Sequence, residues 1–409
     1  MARVVVTGMS GYSPIGNSWI EIEANLRAQK NGVQYMRDWD AFEGLNTRLG
    51  APVKQFDLPD NFIRKRIRTM SRVSMLATAA SQSALQDAGL LDDPVLKSGR
   101  AGVAYGSSTG STEAIGDFAR MLNEKTTSGI TATTYIRMMG HTCAVNIGVF
   151  FGLQGRVLPT STACTSGSLG IGCAAEAIWQ GAQDVMIAGG AEELSVTEAA
   201  VFDTLYATST FNDSPELSPR PFDSDRDGLV IGEGACTLIL ENRDHALARG
   251  AHIYAEIVGF ATNSDGRHVT QPSPETMQTA IRMSLENANL PASEIGYVSA
   301  HGTATDRGDV AESLATQRIF GPGIPISSLK SYMGHTLGAC GALESWLSIE
   351  MMNNGWFAPT ANLENIDPKC AELDYIQGKG RELDVPYVMN NNFAFGGINT
   401  SLVFSRHPA

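Results

Sequence analysis

Short apolar runs rich in β-branched residues alternate along this chain with Gly- and Ala-rich stretches of helical length. Arg3-Val4-Val5-Val6-Thr7-Gly8, Thr237-Leu238-Ile239-Leu240-Glu241 and Ile253-Tyr254-Ala255-Glu256-Ile257-Val258-Gly259-Phe260 each read as a buried strand. Tyr297-Val298-Ser299-Ala300 predicts a short strand ending in His301, followed by a turn and a helix beginning near Arg307. Ile326-Ser327-Ser328-Leu329-Lys330-Ser331-Tyr332-Met333-Gly334-His335 repeats the arrangement: strand, polar turn, histidine, then a small-residue helix. At Pro159-Thr160-Ser161-Thr162-Ala163-Cys164-Thr165-Ser166-Gly167-Ser168 a strand-like run gives way to another small-residue helix, with Cys164 at the junction. Strands interleaved with helices place the chain in the α/β class.

A weak repetition divides the chain. Ser161 to Glu176 and Gly334 to Glu344 share a polar strand exit, a reactive side chain, a Gly/Ala-rich helix and a closing Glu. The strand at Arg3 and the strand at Ile253 each open a half. Two copies of one α/β unit explain both pairs, with the join near residue 250. The first half is 1–250 with Cys164, and the second is 251–409 with the histidines. Small side chains in the two central helices suit helices sandwiched between sheets, although each interior Gly costs about 1 kcal/mol in an isolated helix. Stretches 112–145 and 195–227 read as insertions between strands of the first half.

Cys164 draws the chemistry. A thiol at a helix N-terminus faces free N–H groups and the positive end of the helix dipole, which lower its pKa and hold a developing oxyanion. The competing reading is a small buried hydrophobe, the commoner fate of a free cysteine. His301 and His335 at strand exits tip the balance, because strand carboxyl ends share one edge of a parallel sheet and side chains there converge.

Composition mostly excludes. The chain has 409 residues, 43% of them apolar, and a net charge of −13, which argues against general binding of nucleic acid. No stretch approaches the roughly 18 to 20 apolar residues of a membrane span, and the chain runs at once into its first strand, so a cytoplasmic protein is expected. Six cysteines show no CxxC spacing and no zinc-type cluster, which predicts reduced thiols and no metal. Cys173 and Cys340 sit among Ala and Gly in helical stretches and are expected to be buried.

Four ordered motifs then coincide with a known family. Thr162-Ala163-Cys164-Thr165-Ser166-Gly167, His301-Gly302-Thr303-Ala304-Thr305 with Asp309, Lys330-Ser331-Tyr332-Met333-Gly334-His335, and Asn392-Phe393-Ala394-Phe395-Gly396-Gly397-Ile398-Asn399 resemble the elongating β-ketoacyl-[acyl-carrier-protein] synthases of the thiolase superfamily. The resemblance spans essentially the whole chain. It implies a thiolase-like fold of two related halves in five layers, α-β-α-β-α, and a decarboxylative Claisen condensation with malonyl-carrier protein in fatty-acid elongation. It also implies a homodimer whose contact and acyl pocket are built by the two insertions. Substrates would ride on carrier-protein phosphopantetheine, with no tightly bound cofactor.

By that resemblance Cys164 takes the acyl group, with backbone N–H groups of Cys164 and Phe395 holding the oxyanion. His301 and His335 stabilise the enolate, Lys330 pairs with Glu312 to orient the site, and Asp309 anchors its loop. Thr303 and Thr305 bind phosphopantetheine amides, although capping the next helix would equally justify hydroxyls there. Phe395 gates the acyl pocket beside Gly396-Gly397, where Ala394 and Ile398 replace a usual glycine and threonine. Thr109 stands at a position whose size matters for chain length.

Arg64, Lys65, Arg66, Arg68 and Arg72 are five positive charges within nine residues, read as the docking patch for an acidic carrier protein or as a solvated helical face. Thiolases need a second cysteine near Gly396-Gly397 that this chain lacks, and starter-condensing relatives carry Asn where His335 stands. An aryl-polyene-type or polyketide ketosynthase and a non-catalytic chain-length partner subunit remain as alternatives, the latter opposed by the intact Cys164, His301 and His335.

Overall fold

The computed structural model describes residues 2–407. Eleven strands join in one sheet. In the first half they are β1 (Val4–Tyr12), β2 (Ala101–Gly106), β3 (Val157–Pro159), β4 (Val185–Glu192) and β5 (Gly234–Asn242). In the second they are β6 (Ala255–Ser264), β7 (Ile295–Ser299), β8 (Pro325–Ser327), β9 (Asp374–Tyr375), β10 (Tyr387–Ala394) and β11 (Ile398–Arg406). Their order is β9-β8-β7-β10-β11-β6-β1-β5-β4-β2-β3.

Six helices complete a duplicated unit. Strands β1 to β4 are connected in turn by α1 (Arg72–Asp87), α2 (Thr142–Phe151) and α3 (Ser166–Trp179). In the second half α4 (Pro274–Ala288), α5 (Asp306–Phe320) and α6 (Cys340–Asn354) occupy the matching places. Pairing senses match as well. β2 is parallel to β3 and β4, as β7 is to β8 and β10, while β4–β5 and β10–β11 are antiparallel. The two units meet where β1 runs antiparallel to β6.

Alternation along the strands sorts side chains into three apolar layers. Val103, Tyr105, Ile187 and Ile239 pack outward with Val73, Leu76 and Leu85 of α1 and Ile147 of α2. Val298, Met389 and Val403 pack outward on the other side with Met277, Ile281 and Leu285 of α4. The residues between them, including Ala104, Ala188, Leu238, Tyr297, Val388 and Leu402, turn inward onto α3 and α6. Two sheet halves separating three apolar layers give the five-layered α-β-α-β-α arrangement.

The inner layer explains the small residues. A Cβ on Gly172 would lie 2.1 Å from the Phe260 ring, and one on Gly190 would lie 2.1 Å from the Gly338 carbonyl oxygen. Stretch 112–145 is itself largely helical, with Thr112–Glu124, Ala132–Met138 and the start of α2. Cys340 is buried as expected, whereas Cys173 is half-buried. Lys330, expected at a strand end, instead opens a one-turn helix, Lys330–Met333, because β8 stops at Ser327. Among the described residues no helix is long and apolar enough to cross a membrane.

Gly190→Ala collides with rigid backbone and is expected to lower unfolding free energy by about 1–3 kcal/mol, whereas Gly116→Ala, exposed in a helix with nothing within 4 Å, should raise it by about 0.5–1 kcal/mol. Urea unfolding of the two variants checks both signs.

Candidate active site

The position of Cys164 is set by hydroxyls. After β3 ends at Pro159, Thr160 Oγ1 donates to the Ser166 carbonyl at 2.9 Å, and Ser166 Oγ donates to the Ala163 carbonyl at 2.6 Å. Ser166 Oγ also accepts the Thr162 N–H at 3.0 Å. These bonds hold Ala163 at φ +52°, a left-handed conformation an alanine does not choose. Cys164 follows in a 3₁₀ turn, Ala163–Thr165, directly before α3. The Thr- and Ser-rich composition of this run is thus its local folding code.

Burial then overrides the dipole. Cys164 is 3% exposed, and burial pushes its thiol up to about 11, against the opposing pull of the Lys330 charge and the N–H groups of Phe395 and Cys164. The expected low thiol pKa is therefore corrected: the helix terminus and donors are present, but desolvation of the thiolate is larger. Those two N–H groups converge on the sulfur, as an oxyanion hole requires.

His335 Nε2 lies 3.0 Å from Cys164 Sγ, and the His301 ring stands edge-on to His335 at 88° with centroids 5.2 Å apart. Ligating atoms of Cys164, His301 and His335 all lie within 4.8 Å of one another. His335 is clamped by its backbone, its N–H donating to the Val230 carbonyl at 2.6 Å and its carbonyl accepting the Gly232 N–H at 2.9 Å. Burial, reinforced by the nearby Lys330 charge, holds both imidazoles well below the ordinary histidine pKa, so both are neutral near pH 7.

Behind His301 lies a network of buried polar groups that the sequence reading misassigned. Lys330, 1% exposed, is ion-paired with Glu344 of α6, and not with Glu312. Glu312 instead accepts the backbone N–H groups of His301 and Gly302, each at 2.7 Å. The reason is placement: α5 sets Glu312 beneath the histidine loop, while α6 carries Glu344 to the ammonium. Burial pushes Glu312 up to about 8 although both N–H groups pull it down. Burial works against the Lys330 charge, but Cys340, Glu344 and Glu312 raise its pKa on balance.

Lys330 Nζ also lies 3.2 Å from His301 Nδ1, and Asn392 Nδ2 lies 3.4 Å from the same nitrogen and donates to Glu344 Oε2 at 2.7 Å. Two donors facing Nδ1 place the His301 proton on Nε2. Glu344 and Asn392 went unassigned from sequence, although Glu344 closes the internal repeat and Asn392 opens the last motif.

Asp309 does lie behind the loop. Its carboxylate accepts the N–H groups of Ala304 at 3.1 Å and Phe222 at 2.8 Å, and burial pushes it up to about 6. Thr303 and Thr305 hydroxyls are 2.9 Å apart, and Thr305, at the N-cap of α5, makes no side-chain capping bond, so capping does not account for it. Phe395 sits in the β10–β11 hairpin beside Gly396 at φ +91°, its ring 5.1 Å from that of Phe202. Cys164, His301, His335, Thr303, Thr305 and Phe395 line one cavity of about 470 Å³.

Thr109 is not brought to that cavity wall; its hydroxyl donates to buried Glu198 at 3.2 Å. The basic run is not one helical face, because Arg64–Ile67 forms a single turn and α1 starts at Arg72. Arg64, Lys65, Arg66, Arg68 and Arg72 are all exposed. Arg66 covers the Phe150 ring at 3.6 Å. Arg72 is ion-paired with buried Glu233, with Nη2 to Oε2 at 2.8 Å, while its side chain remains 44% exposed.

Comparison with known proteins agrees with this geometry. Residues 1–246 match the family model of the beta-ketoacyl synthase N-terminal domain and residues 254–364 that of the C-terminal domain. The chain is 37% identical to the 3-oxoacyl-[acyl-carrier-protein] synthase 2 of Vibrio harveyi, over 99% of this chain and 98% of that protein. It is 36% identical to the 3-oxoacyl-[acyl-carrier-protein] synthase 1 of Escherichia coli (strain K12), over 99% of each. A crystal structure of a beta-ketoacyl synthase from Burkholderia phymatum STM815 superposes with a TM-score of 0.99 at 60% identity, covering 100% of both chains. With a duplicated five-layered fold, a Cys-His-His centre and family models on both halves, the chain belongs to the β-ketoacyl synthase family.

Proposed function

We propose that this chain elongates fatty-acyl groups by decarboxylative condensation of a Cys164-bound acyl chain with malonyl-acyl-carrier protein, releasing CO₂ and β-ketoacyl-carrier protein. The observation that carries the reading is two neutral imidazoles converging on one buried thiol beside two N–H donors. An intact centre of this kind also speaks against a non-catalytic chain-length subunit. In this reading residues 1–250 form the half that supplies the nucleophile and 251–409 the half that supplies the histidines.

In the first step the Cys164 sulfur attacks the acyl thioester. Its proton passes to His335 Nε2, 3.0 Å away, and from there to the departing carrier thiol. The N–H groups of Cys164 and Phe395 hold the oxyanion. In the second step the malonyl carboxylate leaves as CO₂, and the electron pair of the broken bond becomes an enolate. His301 Nε2–H and His335 Nε2–H stabilise its oxygen, its carbon attacks the acyl-Cys carbonyl, and the departing Cys164 thiolate takes up a proton from solvent. His301 has its tautomer set by Lys330 and Asn392, whereas His335 Nδ1 is buried without a partner. An unpinned ring suits a residue that first accepts a proton and later donates one.

Thr303 and Thr305 at the cavity mouth serve the amides of the carrier's phosphopantetheine, which delivers both substrates. Exposed Arg64, Lys65, Arg66, Arg68 and Arg72 form the docking patch for an acidic carrier protein, with binding weakened by salt. A homodimer is part of this reading, supported by β3, which ends the sheet with no further described strand beside it, and by the exposure of Val157 at 42% and Val149 at 82%.

Intact mass after incubation with saturated acyl-carrier proteins is expected to rise by one acyl group and not to rise in Cys164→Ala; absence of any adduct would refute the assignment. His301→Ala should slow condensation by about 10²–10³-fold while leaving acyl loading largely intact, whereas His335→Ala should slow both, because only His335 touches the sulfur. Single-turnover acylation and overall turnover separate the two cases. Alkylation of Cys164 by iodoacetamide should steepen with pH up to about 11, and a rate that levels off below pH 8 would contradict the raised thiol pKa.

A further inference from the structure

Arg226 takes no part in the steps above, yet it lines the same cavity, with its side chain 2% exposed and packed against the loop that carries His301, Thr303 and Thr305. Its Nε donates to the Thr305 carbonyl at 3.2 Å and its Nη2 to the Asp306 carbonyl at 3.0 Å. Nη1 donates to Asp367 Oδ2 at 2.6 Å and to the Asp223 carbonyl at 2.8 Å. Nε is also 3.5 Å from Asp309 Oδ2, and Asp309 in turn receives the Ala304 N–H.

The loop needs this support. Ala304 is held at φ +65° and Gly302 at φ +35°, so the backbone turns twice through left-handed conformations that an alanine adopts only under constraint. With the Thr305 and Asp306 carbonyls bonded to the guanidinium, the hydroxyls of Thr303 and Thr305 are left on the cavity side, free of any capping duty. Only a planar fork of five N–H donors serves two carbonyls on one side and a carboxylate on the other at once; an ammonium is a single point.

We propose that Arg226 is a positioning residue for the carrier's pantetheine arm, fixing the Thr303 and Thr305 hydroxyls by holding the Thr305 and Asp306 carbonyls and, through Asp309, the Ala304 N–H. This rests on the reading of those hydroxyls as pantetheine contacts. The segment that follows the helix Val196–Asp203 in the first half thus sets substrate-arm affinity in the second, at a distance from the reacting atoms.

The test compares two acyl donors on the full-length protein: hexanoyl-acyl-carrier protein, and S-methyl thiohexanoate, which lacks the pantetheine amides. For Arg226→Met the KM for the carrier-bound donor should rise roughly tenfold, the size of one lost hydrogen bond, with kcat within about threefold. Loading of Cys164 from the methyl thioester should be unchanged, and Arg226→Lys should recover part of the KM. Equal losses with both donors would mean a merely structural role and overturn the proposal. Thr303→Ala separates the two layers of inference. If it leaves the carrier KM unchanged, the hydroxyl reading fails; if it raises that KM while Arg226→Met does not, the positioning role fails. Should Arg226→Met not fold, Asp367→Ala removes the acceptor of the shortest bond to the guanidinium, and an unchanged carrier KM in that variant would equally overturn the proposal.

Discussion

The site depends on how closely α3 and α6 approach each other between the two sheet halves. Each helix begins where its half delivers a reactive side chain, so the distance between the helices becomes the distance between Cys164 and His335. A Cβ on Gly167 would stand 2.9 Å from the Gly338 carbonyl oxygen, and one on Gly341 would stand 2.8 Å from Ser168 Cβ. Larger residues would wedge the helices apart and lengthen a 3.0 Å contact that acyl transfer requires. The helix-weakening glycines are tolerated because burial on both faces, rather than intrinsic propensity, stabilises these elements.

One buried cation organises the protonation of the centre. Lys330 faces Glu344, His301 and, at longer range, the Cys164 thiol, with water excluded from all of them. Its charge favours the thiolate, disfavours any protonated imidazole and directs the His301 proton toward substrate. Such a pair gives little net stability, because desolvating two ions offsets most of their attraction. Its value lies in fixing which atoms carry protons.

Much of this was legible in the chain. The strand exits before Cys164 and His301, the repeat between the Cys164 and His335 segments, and the small-residue helices all follow from local periodicity and residue size, whereas His335 follows a one-turn helix rather than a strand. What failed depended on distance across the fold. The family resemblance pairs Lys330 with Glu312 on the helix after His301, whereas in the fold α6 turns Glu344 onto the ammonium. The thiol was expected to be acidified by its helix terminus, and only the full enclosure of Cys164 shows burial to be larger. Buried polar pairs join residues that no sequence period connects, which is why Glu344, Asn392 and Arg226 emerged only from the structure.

The sheet is finished differently at its two ends. On one side β9 closes it with two residues, while on the other β3, three residues ending in Pro159, is the edge and leaves Val157 42% exposed. An open edge flanked by exposed valines is safe only while it is covered. Until something covers it, that edge is the part of the sheet most open to irregular strand addition, so whatever lies over Val157 also protects the folded chain from association through its backbone.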